Sequence, residues 1–204
     1  MFYKTSEHHG LPHNPFKSCV VPRPIAWVSS IHPNGTLNLA PFSFFNALAV
    51  DPPMVMIAFN GYHEHGGEKD TLHNIKATGD FVVNMVPLAL KDAMNRTSAA
   101  VAHEVNEIDL AGLETQASVL VKPPRVAAAP IHLECELYQE IELPCTREDS
   151  TNKTIIGMVL GVHIHDEVLA DGLIDLTKVN PLARLGYSQY TSVQDIFDML
   201  RPNA

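Results

Sequence analysis

The chain has 204 residues, of which 46% are hydrophobic and 18% charged, a composition that allows a buried core and excludes an intrinsically disordered protein. Fourteen basic against 23 acidic residues give a formal charge of −9, which argues against nucleic acid as a partner because phosphate backbones favour basic surfaces. No apolar run approaches the roughly 20 residues of a membrane span. We expect a single domain over residues 1–204.

The cysteines and the first residues indicate the compartment. Cys19, Cys135 and Cys145 contain no Cys-x-x-Cys pair, as expected for a reducing environment rather than a disulfide scaffold. Residues 1–10 lack the apolar stretch of a secretory signal. These two features predict a cytoplasmic protein that is not bound to a membrane.

Short apolar segments separated by 15 prolines and 11 glycines favour a β-rich protein. The first predicted strand ends at Asn34-Gly35, a strong hairpin signal, and Gly157 and Gly161 mark bends in the last one. The predicted strands cover residues 25–30, 54–59, 81–86, 131–137 and 155–164. Three helices are predicted at 71–77, 88–96 and 193–200, the first with Asp70 or Thr71 as its N-cap and Gly79 at its end. This pattern predicts an antiparallel β-barrel with a few covering helices.

Two of these strands, at residues 25–28 and 54–59, are apolar on both alternating faces. An ordinary antiparallel strand has one face in water. Either a helix or a second copy of the chain must cover the second face, and we favour the second copy. The sequence therefore predicts a homodimer.

A Gly-rich loop precedes the first predicted helix. Gly66-Gly67, the cation of Lys69 and a helix start at Asp70-Thr71 make a site for a phosphate group, because free N–H groups and the positive helix end favour an anion. Glu68 interrupts the pattern of a nucleotide-triphosphate loop. The alternative is a Gly loop with an N-cap and a solvated lysine.

Histidine pairs at His63/His65 and His163/His165 have the spacing that places two imidazoles on one strand face. Two histidines are too few for a metal site without a ligand from elsewhere, so we interpret them as surface or packing residues. We assign no metal ligand. No Gly-x-Ser-x-Gly elbow or acid–base pair is present either, and we assign no catalytic side chain.

A group of hydroxyl and amide side chains among aromatic ones suits a flat cofactor with polar edges better than a hydrolytic site. A barrel core with polar residues at its rim is the alternative. The group consists of Trp27, Ser29, Ser30, Asn38, Phe42, Ser43, Phe44, Phe45 and Asn46.

The order of these motifs resembles the flavin reductase-like family, with its FMN-binding split barrel, which includes flavoredoxin-like proteins. Residues 22–30, 38–46 and 69–75 carry the resemblance, and weaker matches continue to residue 190. It implies a mainly β fold, a split antiparallel β-barrel with a few covering helices, and a homodimer with flavin near the subunit interface. The implied FMN-binding residues are Trp27, Val28, Ser29, Asn38, Ala40, Pro41, Phe42, Ser43, Phe44, Asn46, Lys69, Asp70 and Thr71.

By the same resemblance, Lys69 and Thr71 address the phosphate while Asp70 caps the helix behind it. NADH or NADPH would deliver hydride to the flavin as a transient co-substrate. Three functions remain open: an NAD(P)H-dependent flavin reductase, an FMN-binding electron carrier without nicotinamide activity, and a non-redox barrel for a phosphorylated ligand. A flavin-dependent monooxygenase or an electron-transfer protein is the expected partner.

Overall fold

The computed structural model describes residues 1–202. The longer strands are β2 (Ala26–Ile31), β3 (Leu37–Phe42), β4 (Phe45–Val50), β5 (Pro53–Asn60), β6 (Asp80–Met85), β9 (Ile131–Leu143) and β10 (Asn152–Ile164). The shorter strands are β1 (Arg23–Pro24), β7 (Thr115–Gln116), β8 (Arg125–Val126), β11 (Leu169–Ala170), β12 (Leu173–Ile174), β13 (Leu182–Arg184) and β14 (Tyr190–Ser192). The α-helices are α1 (Phe16–Cys19), α2 (Asp70–Thr78), α3 (Lys91–Arg96), α4 (Glu107–Ala111) and α5 (Leu176–Val179), and 3₁₀ turns cover Leu88–Leu90 and Asp166–Val168.

The seven longer strands form one antiparallel sheet in the order β3-β2-β6-β9-β10-β5-β4. Its two edge strands, β3 and β4, are consecutive in the chain and are separated only by Ser43 and Phe44. The Ala58 N–H of β5 donates to the Phe44 carbonyl oxygen at 2.8 Å. Because β3 at one end of this order runs into β4 at the other through only two residues, the sheet curls until its edges meet, which confirms the predicted mainly β split barrel.

The glycine and turn signals lie where the sequence places them. Gly35 has a φ of 96° in the turn between β2 and β3, and the register of β9 against β10 shifts next to Gly157 and Gly161. A Cβ atom on Gly157 would lie 2.3 Å from Cζ of Phe81. The absence of a side chain at Gly157 thus leaves room for the Phe81 ring in the core.

One of the three predicted helices is wrong. Residues 193–200 form no helix, and Phe197, Met199 and Leu200 are mostly exposed. Such a short segment has no apolar surface of the chain to pack on, and an isolated helix of this length is unstable in water. The helix at 88–96 forms as a 3₁₀ turn followed by α3. None of the helices in residues 1–202 is both long and apolar enough to cross a membrane.

Apolar clusters lie on both sides of β2. Ala26 and Val28 belong to the barrel interior, together with Leu72 and Ile75 of α2. Trp27 belongs to a second cluster outside the barrel, under α3 and α4. The chain itself therefore covers both faces of residues 25–28, so this strand gives no support for a homodimer. Helices α3 and α4 cover the outer face of this strand, where we expected a second copy of the chain.

The other double-sided strand, β5, keeps an incompletely covered outer face. Met54 and Met56 on β5 are only half-buried. On the neighbouring edge strand β4, Leu48 is 52% exposed and Val50 90% exposed. The chain thus covers the outer face of β5 only in part.

Candidate functional site

A groove runs along the outer edge strand β3. Its first part is a cavity of about 190 Å³ between β3, the start of α2 and the segment after α3. A second cavity of about 200 Å³ adjoins it, since Pro41 and Ser98 line both. Neither cavity alone reaches the roughly 300 Å³ at which ligand sites begin, whereas the two together do.

Nine of the thirteen predicted residues line this groove or a further cavity at its far end. Asn38, Ala40, Pro41 and Phe42 of β3 line the first cavity, as do Lys69, Asp70 and Thr71. Ser43 lines the second cavity and, with Phe44, the further one beside Arg23 and Arg184. The fold thus brings residues 69–71, at the start of α2, next to residues 38–43 of β3 and the turn after it. Their contact with a ligand stays a prediction.

Four predicted residues lie elsewhere. The side chains of Trp27, Val28 and Ser29 are fully buried in β2, with the indole N–H of Trp27 donating to Thr97 Oγ1 at 2.8 Å. Asn46 is exposed on β4 and accepts from the Ala47 N–H. The side chains of residues 27–29 thus support the groove wall from a central strand that is covered on both faces, and contact of these residues with a ligand stays a prediction.

The N-terminus of α2 meets the groove without a side-chain cap. Lys69 is the N-cap residue, with no side-chain hydrogen bond to the helix, which leaves N–H groups of the first turn open. The predicted capping role of Asp70 is wrong, because its carboxylate instead contacts His103 Nδ1 at 2.5 Å and His63 Nε2 at 3.5 Å.

Thr71 also departs from its predicted role. Thr71 is 1% exposed, and its hydroxyl donates to Asn38 Oδ1 at 2.6 Å. While this bond is made, the one hydroxyl hydrogen of Thr71 is engaged within the chain, and its contact with a phosphate stays a prediction. Lys69 remains as the predicted phosphate residue, and within residues 1–202 it forms no ion pair, whereas Lys76 and Lys153 both bind Glu68.

A buried polar network holds β3 in place. Glu107, the first residue of α4, accepts from Asn38 Nδ2 at 2.8 Å and from the Leu39 N–H at 3.0 Å. Asn38 accepts in turn from Thr71 and from Ser30. Burial raises the pKa of Glu107, although the hydrogen bonds from Leu39 and Asn38 act in the opposite direction. The edge strand that forms the groove wall is thereby fixed to α2 and α4.

Several lining residues were missed in the sequence. Thr97, Ser98, Ala99 and Ala100 face the first cavity, and Arg184 and Tyr190 face the second. Thr97 and Ser98, directly after the predicted helix at 88–96, were a usable signal for a ligand site, because small hydroxyl residues there leave the backbone accessible. Nothing in the sequence shows that Glu107 lies beside β3.

The two histidine pairs have different surroundings. His163 Nε2 contacts Glu134 Oε1 at 2.6 Å, and Glu134 also accepts the N–H groups of Val119 and Leu120. These bonds lower the pKa of Glu134 against the effect of its burial. His163 and Glu134 therefore hold the loop at residues 119–120, which is consistent with a packing role for His163. His63 instead lies beside Asp70 and His103.

The groove offers an aromatic and apolar wall along β3, polar side chains around it and, at one end, a cation that has no ion-pair partner within residues 1–202. Glu107 lines the first cavity, but it is buried and each of its oxygens accepts a hydrogen bond within the chain. This arrangement suits binding and orientation of a flat ligand with a phosphate better than hydrolysis.

Comparison with known proteins agrees with this geometry. The family described as "Flavin reductase like domain" matches residues 18–183. The chain belongs to the flavin reductase-like family. As a member of that family it shares a split barrel with flavin-utilising oxidoreductases, and the family resemblance drawn from the motifs is confirmed.

The relatives are similar over most of their length. An uncharacterized protein of Aquifex aeolicus is 38% identical over 172 residues, 84% of each chain. The solved structure of nitrilotriacetate monooxygenase component B from Bacillus cereus is 29% identical, with a TM-score of 0.84 over 95% of this chain and 100% of that one. Flavoredoxin of Desulfovibrio vulgaris is 18% identical, with a TM-score of 0.78 over 98% of this chain and 97% of that one, and shows the fold alone.

Proposed function

We propose that this member of the flavin reductase-like family binds FMN in the groove along β3 and reduces it with NADH or NADPH. The observation that carries the proposal is Lys69, an unpaired cation beside the open N-terminus of α2, at one end of a groove lined by Phe42. A phosphate-bearing aromatic ligand fits this combination, because both the ammonium group and the helix N–H groups favour an anion.

The residues present fit FMN in kind. Lys69 and the first turn of α2 supply donors for the phosphate group. Phe42 and Pro41 supply an apolar wall for a flat ring, and Ser43 and Ser98 supply hydroxyls for its polar edges. The cations of Arg23 and Arg184 lie in the cavity at the far end. The acidic side chains of Glu64 and Asp70 oppose the phosphate, and Lys69 must offset them.

FMN supplies a hydride acceptor when bound, so the protein needs no acid–base pair of its own. The chain's residues bind and orient. The Glu107 network keeps β3 at a fixed distance from α2, and Lys69 holds the phosphate. The open side of the groove leaves room for a nicotinamide to approach transiently.

Turnover with a nicotinamide separates the reductase from the electron carrier. We expect catalytic bleaching of excess FMN when the protein is mixed with NADH or NADPH. Heat-denatured protein is the control for non-enzymatic reduction. If neither nicotinamide is oxidised while a reduced electron-transfer protein reduces the bound flavin, the carrier function replaces the reductase.

The similarity to a monooxygenase component B supports a flavin-dependent monooxygenase as the partner that uses the reduced flavin. A cytoplasmic location agrees with the three unpaired cysteines.

We also propose a homodimer, joined through the apolar outer face of β4 and β5. Met54 and Met56 lie there beside Ile156 and Met158 of β10, and Asn46, paired with Met56, stands on the same face. Light scattering is expected to give about twice the chain mass, and Met56→Glu is expected to give a folded monomer because a charge in an apolar interface is not compensated. A wild-type monomer at all concentrations would contradict the proposal.

A further inference from the structure

Three side chains with metal-binding atoms converge at the N-terminus of α2. His63 comes from the loop before the helix, Asp70 is the first helical residue, and His103 comes from the segment between α3 and α4. Their ligand atoms all lie within 4.8 Å of one another. The rings of His63 and His103 are 4.5 Å apart between centroids. Residues far apart in the sequence therefore form one compact cluster.

The spacing of the donor atoms is close to that of a metal site. His63 Nε2 lies 3.5 Å from Asp70 Oδ2, and His103 Nδ1 lies 2.5 Å from Asp70 Oδ1. Bonds of about 2.0–2.1 Å from nitrogen and oxygen to a tetrahedral Zn²⁺ place neighbouring ligand atoms about 3.3–3.5 Å apart. The His103 side chain is 45% exposed, so it is the ligand with the most room to adjust to this spacing.

We propose that His63, Asp70 and His103 form a binding site for one divalent transition-metal ion, with Zn²⁺ as the ion that the donors suit best. Two imidazoles and a carboxylate are the ligand set of three-coordinate protein sites that keep a fourth position open. Mg²⁺ and Ca²⁺ prefer oxygen ligands throughout and fit these donors poorly. The proposal does not depend on flavin binding.

The surroundings support a cation at this place. Asp70 lines both the groove and a separate cavity of about 410 Å³, which His103 and Glu104 also line. An ion therefore has a path from solvent. Glu64 and Asp70 also give the groove end an acidic lining, and a divalent cation would offset that charge next to Lys69.

Without a metal, the same cluster is a latch made of one hydrogen bond, between His103 and Asp70, and one longer ion-pair contact, between His63 and Asp70. Asp70 then joins the His63 loop and the His103 segment to α2 through its two oxygens. The His65 N–H donates to His63 Nδ1 at 3.1 Å, so a metal at Nε2 must move the ring proton to Nδ1 and break that bond. A cluster that serves only as a latch keeps this bond and binds no metal, whereas a metal site binds the ion and gives the bond up.

Direct titration distinguishes the two. Chelator-treated protein, free of added flavin, is titrated with Zn²⁺ in competition with a chromophoric chelator, and with Co²⁺ while its visible absorption is recorded. We expect one ion per chain and intense Co²⁺ bands of a low-coordinate site. His103→Ala is expected to weaken binding at least about tenfold, since even the loss of an outer partner of a metal ligand costs roughly 10- to 100-fold.

The control addresses the other histidines of the chain. The variant with both His8→Ala and His9→Ala removes a stacked pair near the N-terminus and is expected to bind as the wild type does. Thermal unfolding of metal-free His103→Ala confirms that it folds, and Asp70→Asn serves as a second ligand variant. Binding that is absent, or equally strong in His103→Ala and the wild type, would overturn the metal site and leave the latch.

Discussion

Replacing Glu107 with alanine is expected to lower the free energy of unfolding by about 2–5 kcal/mol, because it leaves the Leu39 N–H and the Asn38 amide buried without an acceptor. Glu107 is 4% exposed and accepts from both groups. For a chain of this size, the change corresponds to a melting temperature lower by roughly 4–20 °C. Thermal unfolding of the purified variant measures it.

Two further variants define the cause. Glu104→Ala removes an exposed carboxylate three residues earlier in the chain and is expected to change stability by no more than about 0.5 kcal/mol. Glu107→Gln keeps an acceptor for the Leu39 N–H and is expected to fall between the two. If Glu107→Ala unfolds at the same temperature as Glu104→Ala, the network does not hold β3.

Lys69→Ala is expected to weaken FMN binding roughly 10- to 100-fold, since a charge-assisted hydrogen bond contributes about 1.5–3 kcal/mol. Riboflavin lacks the phosphate group, and its affinity is expected to stay nearly unchanged. Raised salt is expected to reproduce part of the loss in the wild type through screening. Quenching of flavin fluorescence measures both affinities.

Lys76→Ala is the matched control, because Lys76 carries the same charge on the same helix but pairs with Glu68 and Glu140. It is expected to bind both flavins as the wild type does. Equal loss of FMN and riboflavin in Lys69→Ala would mean that the side chain shapes the loop and that the phosphate is bound elsewhere.

The strands were predictable because their signals are local. Apolar runs, the Asn34-Gly35 turn and the bends at Gly157 and Gly161 each depend on neighbours in the sequence, and the structure places them accordingly. The segment at 193–200 has a local helical pattern as well, but it finds no apolar surface on the chain. Local pattern alone does not supply the packing that a short helix needs.

The site was only partly predictable, because side-chain direction depends on the assembled barrel. Lys69 and the residues of β3 line the groove as expected. Thr71 turns inward because Asn38 accepts its hydrogen bond, and Trp27 is covered by a cluster of residues distant in the sequence. His103 and Glu107 reach the site through the fold, and a reading of local motifs gives them no role.

The most direct test of the central claim is the visible spectrum and fluorescence of FMN as purified protein is added. We expect a spectral shift or quenching that saturates at one FMN per chain and that riboflavin reproduces more weakly. Unchanged spectra with FMN, FAD and riboflavin at high protein concentration would contradict the flavin site along β3, and a phosphorylated ligand of another kind would then be the occupant to seek.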